Sequence, residues 1–294
     1  MTAIQSKTDF RSSFDAQRRY APQMALTTVD QRLDRIRRLQ TWITIHETDI
    51  QQALYDDLRK PASEVMLTDL MSVHVEIKHT LRHLKLWLKP KSLPTHLPLV
   101  GTRSYVRYEP KGNVLIISPW NYPIALSLRP LIMAIAAGNV VILKPSEQTP
   151  HTSALLKKLV HELFPPEEVI VFEGDADVSQ ALLELPFNHI YFTGSPAIGR
   201  IVMTAAAKHL ASVTLELGGK SPAIVDESAN IQQAASQLAW AKGVNCGQTC
   251  IAPDYILVHQ SVKQAFMRAL YEKLTAMYSP DGGQLKPPIV TPDW

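Results

Sequence analysis

Cysteine is scarce in this chain: 294 residues contain two, Cys246 and Cys250. Their spacing is neither that of a disulfide framework nor the CxxC of a zinc or redox motif, so no metal is expected and a reducing, cytoplasmic setting fits best. Long apolar runs are also missing. The most hydrophobic stretch, Pro130 to Leu143, is interrupted by Gly138 and Asn139 and is too short to cross a membrane. The N-terminus lacks the apolar core of a signal peptide. Neither charge sign dominates, with 30 basic against 27 acidic residues and a formal charge of +3. No block of like charge suggests a nucleic-acid arm or a polybasic membrane patch. What remains is a globular chain, 46% hydrophobic and 19% charged, able to bury one large core or two ordinary ones.

Residues 1–88 read as helices. Thr28 and Gln31 have capping-box spacing, and Leu33, Ile36, Leu39 and Ile43 recur on one face. A second stripe carries Leu67, Leu70, Val73, Ile77, Leu81, Leu84 and Trp87, and both stripes are read as core. From Lys89 to Lys111 prolines exclude helix, and "TRSYVRYEP" alternates as an exposed strand would, an excursion suited to association. Strands and helices then alternate: "NVLII", a helix ended by Gly138, "VVILK", a helix opened by Thr149 and Pro150, "EVIVFEG", a helix around Ala181, "HIYFTG", a helix after Pro196, "SVTLEL", "PAIVD", a helix over Ile231 to Val244, and "DYILVH". Repeated β-α-β units predict an α/β fold with a doubly wound, mainly parallel, Rossmann-like sheet, which binds ligands at the carboxyl ends of its strands.

Five segments follow strands or helices in that way. "FTGSPAIGR" is a strand end, two glycines and a helix start, equally compatible with a phosphate cradle and a plain helix-opening turn. In "LKPSEQTP", Lys144 and Glu147 could meet ribose hydroxyls, or be a solvated lysine and a carboxylate at a helix start. Asn121, between Pro119 and Pro123, could donate toward developing negative charge or simply belong to a turn. Glu216 ends an apolar strand, where partial desolvation would raise its pKa toward that of a general base, and Gly218 and Gly219 would admit a ligand close to the backbone. Cys250, after the turn "CGQT", is a candidate nucleophile if a base or backbone donors assist it, and otherwise a small buried thiol.

Taken in order, "SPWNYP", "KPSE", "FTGSPAIG", "LELGGKSP" and "GQTC", together with the spacing of Glu216 and Cys250, resemble the motifs of the aldehyde dehydrogenases across roughly residues 15–275. The N-terminus resembles the class that handles fatty and aromatic aldehydes. The resemblance implies oxidation of an aldehyde to the acid, with Cys250 as nucleophile, Asn121 as oxyanion donor and Glu216 as base for hydrolysis of a thioester. It implies NAD as cofactor, with NADP left open. Lys144 and Glu147 would meet the adenosine ribose, and Gly194, Ser195, Pro196, Ala197, Ile198 and Gly199 the pyrophosphate. Trp120 and Leu217 complete the cofactor set, while Cys246 is read as packing.

The same resemblance implies a dinucleotide-binding domain at 1–88 and 111–215, a projecting oligomerisation hairpin at 89–110, and a partial catalytic domain at 216–294. It implies a homodimer for full-length relatives. The chain departs from the family in its irregular tail from Tyr278 and in lacking an "EIFGP"-like stretch, so a truncated, catalytically incomplete nucleotide-binding fragment is the competing expectation. A CoA-acylating relative is disfavoured because such enzymes generally lack the carboxylate that Glu216 supplies.

Overall fold

Residues 7–94 and 96–278 are described by a computed structural model. Of the tail from Tyr278, residues 279–294 lie outside the described residues; Tyr278 itself is the last residue of a helix. One unit comprises residues 1–57 and 61–216, and a second comprises 58–60 and 217–294.

The first unit starts with helices α1 (Lys7–Ala25), α2 (Val29–Ile45) and α3 (Glu47–Leu58). The capping box at α2 forms in both directions: Gln31 N–H donates to Thr28 Oγ1 at 3.2 Å, and Thr28 N–H to Gln31 Oε1 at 2.8 Å. Leu33, Ile36, Leu39 and Ile43 are buried, as their spacing predicts. The next helical run is less regular. A short α4 (Ala62–Glu64) passes into a π-helical turn at Val65–Leu70 and then into α5 (Met71–Trp87). Within the π turn the Met71 N–H reaches back to Met66 O. The extra residue per turn rotates Leu67 into solvent, against expectation, while Val65, Asp69 and Leu70 face inward. Val73, Ile77 and Leu84 keep the expected face, whereas Leu81 and Trp87 are half-buried.

The central sheet has five strands in the order β5-β4-β3-β6-β7. These are β3 (Asn113–Ile117), β4 (Val140–Lys144), β5 (Val169–Val171), β6 (His189–Gly194) and β7 (Ser212–Leu217), with β5 shorter than its sequence predicts. The pairs β3/β4, β3/β6 and β4/β5 are parallel. Every residue of β3 and β4 is buried, because α1 lies on the sheet together with α6 (Pro123–Ala137), α7 (Pro150–Leu163), α8 (Ala176–Leu183) and α9 (Pro196–Ala207). Phe10 meets Phe172 edge-on at 4.8 Å and Phe14 meets Phe187 at 5.0 Å, seating α1 on the sheet. Gly138 ends α6 at φ +88°, and an added Cβ there would strike the guanidinium of buried Arg32. Arg32 occupies that space because it donates to Ala137 O at 2.8 Å, satisfying a carbonyl that the helix end leaves open.

Between α5 and β3, β1 (Lys91–Leu93) and β2 (Ser104–Val106) pair antiparallel, and a 3-10 turn at Leu97–Leu99 contains Pro98 where no helix is expected. The second unit contains β8 (Ser221–Val225), α10 (Ile231–Gly243), β9 (Pro253–Val258) and α11 (Lys263–Tyr278). The strands pair in parallel with a register break at Pro222, which has no N–H for the ladder. Val225, Ala235, Phe266 and Ala269 form its core, while Ile224, Tyr255 and Leu257 face solvent.

Glu168, just before β5, ties the helices to the sheet: it pairs with Arg35 of α2, whose Nε donates to Oε2 at 2.8 Å, and accepts from the Tyr20 hydroxyl of α1 at 3.1 Å. Burial raises the Glu168 pKa, but the Arg35 hydrogen bond and charge outweigh it and hold the carboxyl below its ordinary value. A carboxylate depressed in the folded state contributes stability above its unfolded pKa and loses it as pH falls through the folded one. Glu168→Ala should therefore cost about 3 kcal/mol at neutral pH. The difference from wild type, read from urea unfolding, should shrink steadily on acidification below the ordinary carboxylate range.

Candidate active site

Three loops leave the carboxyl edge of the parallel strands. After β3, the loop from Ser118 to Tyr122 carries Trp120 and Asn121, both half-buried. Its start is fixed by Ser118, whose N–H donates to Lys144 O at 3.1 Å and whose hydroxyl lies 2.7 Å from that of Ser127. After β4, Lys144 is not a solvated lysine: it is 3% exposed and its Nζ donates to Glu147 Oε2 at 2.7 Å. Glu147 is more open, with its side chain 45% exposed. Burial raises the Glu147 pKa, yet the hydrogen bond and charge of Lys144 bring it below the ordinary carboxylate value, so it stands ionised beside the lysine. Ser146 folds the loop by receiving the Gln148 N–H on its hydroxyl at 3.2 Å and the Ser153 hydroxyl on its carbonyl at 2.8 Å.

After β6, Ser195 caps α9 by accepting the Ile198 N–H at 3.3 Å, with Pro196 as the first helical residue. Ser195, Pro196, Ala197 and Ile198 are exposed, and Gly199 is buried. Gly194 has a packing reason beyond any ligand, since a Cβ there would come within 2.5 Å of the Phe192 ring.

Glu216 belongs to β7, an edge strand. The start of β7 lies beside the start of β6, Ser212 N–H donating to Asn188 O at 3.2 Å, so Glu216 stands toward the same carboxyl edge. Its charge, after burial, helps raise the pKa of Tyr191 on β6. Glu216 itself is exposed rather than partly desolvated, because an edge strand is covered on one flank only, and Leu217 beside it is exposed too. Gly218 faces open space, while a Cβ on Gly219 would lie 3.7 Å from the Cys250 carbonyl oxygen.

In the second unit α10 stops at Gly243, and a 3-10 turn at Val244–Gly247 leads toward Cys250. Asn245 and Cys246 both adopt left-handed backbone, at φ +51° and +55°. Cys246 therefore lies outside regular helix, and it and Cys250 are both exposed, not buried as a packing thiol would be. Asn245 is buried and clasps the turn: its Nδ2 donates to Gln248 O at 3.2 Å, while its carbonyl accepts the Gln248 N–H and Nε2, each at 2.9 Å. Asparagine tolerates left-handed backbone better than most residues, which suits it to this position.

Residues 2–287 match the pattern of the "Aldehyde dehydrogenase family", and the chain belongs to that family. It is 46% identical over 260 residues to 4,4'-diaponeurosporen-aldehyde dehydrogenase of Staphylococcus aureus, covering 86% of this chain and 57% of that one. It is 42% identical over 232 residues to aldehyde dehydrogenase family 3 member B1 of Homo sapiens, covering 79% and 50% respectively. The solved substrate-bound Staphylococcus aureus AldH superposes with a TM-score of 0.90 at 41% identity, over 97% of this chain and 60% of that one. The chain thus spans about half to three fifths of the length of these relatives.

Asn245, Gln248, Ser146 and Asp69 order these loops and are absent from the sequence-derived candidates. Asp69 left one signal, since it stands four residues before Val73 on the buried stripe, where a carboxylate is out of place. Removing the α9 cap with Ser195→Ala should lower stability by about 1 kcal/mol in chemical unfolding. Both thiols should react with an aromatic disulfide reagent in the folded protein, without denaturant. Cys250→Ala should halve that count.

Proposed function

We propose that this chain oxidises an aldehyde to the carboxylic acid with NAD, NADP being the less favoured cofactor. The observation that carries the reading is the shared origin of the candidate groups: Asn121, the Lys144–Glu147 pair, the capped start of α9 and Glu216 all stand toward the carboxyl edge of one sheet. Family membership supports the same assignment.

The residues fit a dinucleotide. Glu147 is ionised and open to solvent, able to accept from ribose hydroxyls, and a 2′-phosphate would meet its charge unfavourably. Buried Lys144 holds it in place. The segment Gly194–Gly199 presents a helix N-terminus suited to a pyrophosphate, with Trp120 and Leu217 as further cofactor contacts. A nicotinamide held by these residues would supply the acceptor for the hydride leaving the substrate carbon. The Cys250 thiolate adds to the aldehyde carbonyl, and the Asn121 amide with the Cys250 N–H stabilises the oxyanion. Loss of hydride leaves a thioester on Cys250. Glu216 takes a proton from water, the hydroxide adds to the thioester carbonyl, and expulsion of the thiolate releases the acid.

The substrate we favour is a medium or long aliphatic or an aromatic aldehyde, on the resemblance of the N-terminus and motifs to that class. In this reading residues 1–88 with 111–215 hold the dinucleotide, 89–110 form the projecting hairpin through which a full-length relative would pair as a homodimer, 216–294 supply part of the catalytic domain, and the protein works in the cytoplasm.

The exposure of Glu216 and Cys250 favours a second reading, in which the chain binds the nucleotide without completing turnover. The two are separated by following reduced cofactor with the purified chain, NAD and a panel of aldehydes. Turnover that disappears in Cys250→Ala is expected from the first reading. NAD binding without turnover in a folded sample would replace it with the second.

A further inference from the structure

Asp69 is a fully buried carboxylate that the proposed reaction does not use. Burying an ionised carboxylate costs several kcal/mol unless its oxygens are bonded, and an apolar side chain of similar size would fill the space without that penalty. Its bonds indicate what it contributes. Oδ1 accepts the Ala125 N–H at 3.3 Å, and Oδ2 lies 3.4 Å from the Thr68 hydroxyl, which donates chiefly to Glu64 O at 2.8 Å. Ala125 lies in the first turn of α6, where backbone N–H groups lack helical partners and the helix dipole favours negative charge. Tyr122 stands at the N-cap of that helix and makes no side-chain cap bond. Asp69 therefore does, from a different segment, what a capping side chain would do. It lies within the π turn, four residues before buried Val73, and so on the face that α5 turns to the core.

The loop holding Asn121 is thus anchored at both ends. Ser118 ties its start to β4 and to Ser127, and Asp69 ties its end through the first turn of α6. Pro119 and Pro123 stiffen the interval between. We propose that Asp69 is the positioning residue for Asn121: by fixing the start of α6 it sets where the Asn121 amide meets the oxyanion. This inference rests on the reading of Asn121 as oxyanion donor.

The test compares Asp69→Asn, which keeps an acceptor for the Ala125 N–H, with Asp69→Leu, which fills the space but accepts nothing. Ala125→Pro, which deletes the donor at a helix position that tolerates proline, serves if the Leu variant does not fold. Aldehyde turnover and acyl transfer from a nitrophenyl ester to Cys250 are measured beside backbone hydrogen exchange of residues 119–126, with α9 as control. In the Leu or Pro variant kcat and the acylation rate should fall about 100-fold while KM stays within roughly threefold, as expected for a displaced transition-state donor. Exchange over 119–126 should rise, α9 should not change, and the Asn variant should resemble wild type. A folded Leu variant with wild-type kcat and exchange would overturn the proposal, as would equal loss in the Asn and Leu variants with exchange unaltered. If wild type turns over neither aldehyde nor ester, the reading of Asn121 fails instead, and the exchange comparison alone decides whether Asp69 holds the loop.

Discussion

Burial of both faces of β3 and β4 is the constraint on which the rest of the first unit depends. With no residue of either strand open to water, every backbone group in them must be paired within the sheet, and polar side chains are pushed to strand ends. Ser118 and Lys144 are the first residues at that boundary that carry chemistry. They are bound to each other through Ser118 N–H and Lys144 O, so the loops after β3 and β4 share one anchor. The helices that produce this burial are themselves held at buried polar points, Gln17 donating to Val141 O at 2.9 Å and Arg35 pairing with Glu168. Apolar contact supplies most of the driving force here, and these few charged or amide groups select one seating among many that an apolar face would permit.

Two candidate loops are held by different means. The Asn121 loop is braced from outside, by a serine at one end and a buried carboxylate of another helix at the other. The approach to Cys250 is braced from inside, by one asparagine that adopts a left-handed backbone and bonds Gln248 with both its amide and its carbonyl. The first arrangement distributes its dependence over distant segments. The second concentrates it in four residues, and the exposed thiols are its visible result.

Much of the architecture was legible in residue patterns because it depends on local rules. "NVLII" and "VVILK" are apolar except for Asn113 and Lys144 at one end of each, the pattern of strands covered on both faces, and Thr28 with Gln31 announced a helix start that forms with both bonds. The candidate groups were legible as motifs, but their surroundings were not. Glu216 ends an apolar strand, which reads as burial, yet that strand is at the sheet's edge, and strand order is not written in local composition. Leu67 sits at helical spacing and is exposed because one turn bonds to the fifth residue back, a shift with no compositional signature. Cys246 fell outside helical reasoning once the chain passed Gly243.

The π turn at Val65–Leu70 also bears on how this segment can change over generations. Such a turn holds one residue more than regular helix needs, so losing a single codon inside it would restore α-helical bonding while leaving the residues on either side facing as they do. Val73, Ile77 and Leu84 would stay in the core, and only residues within the turn would change their facing. A deletion elsewhere in α5 would instead turn everything beyond it by about 100° and expose that core. The helix therefore contains one short interval in which lineages could gain or shed a residue without rebuilding the packing around it.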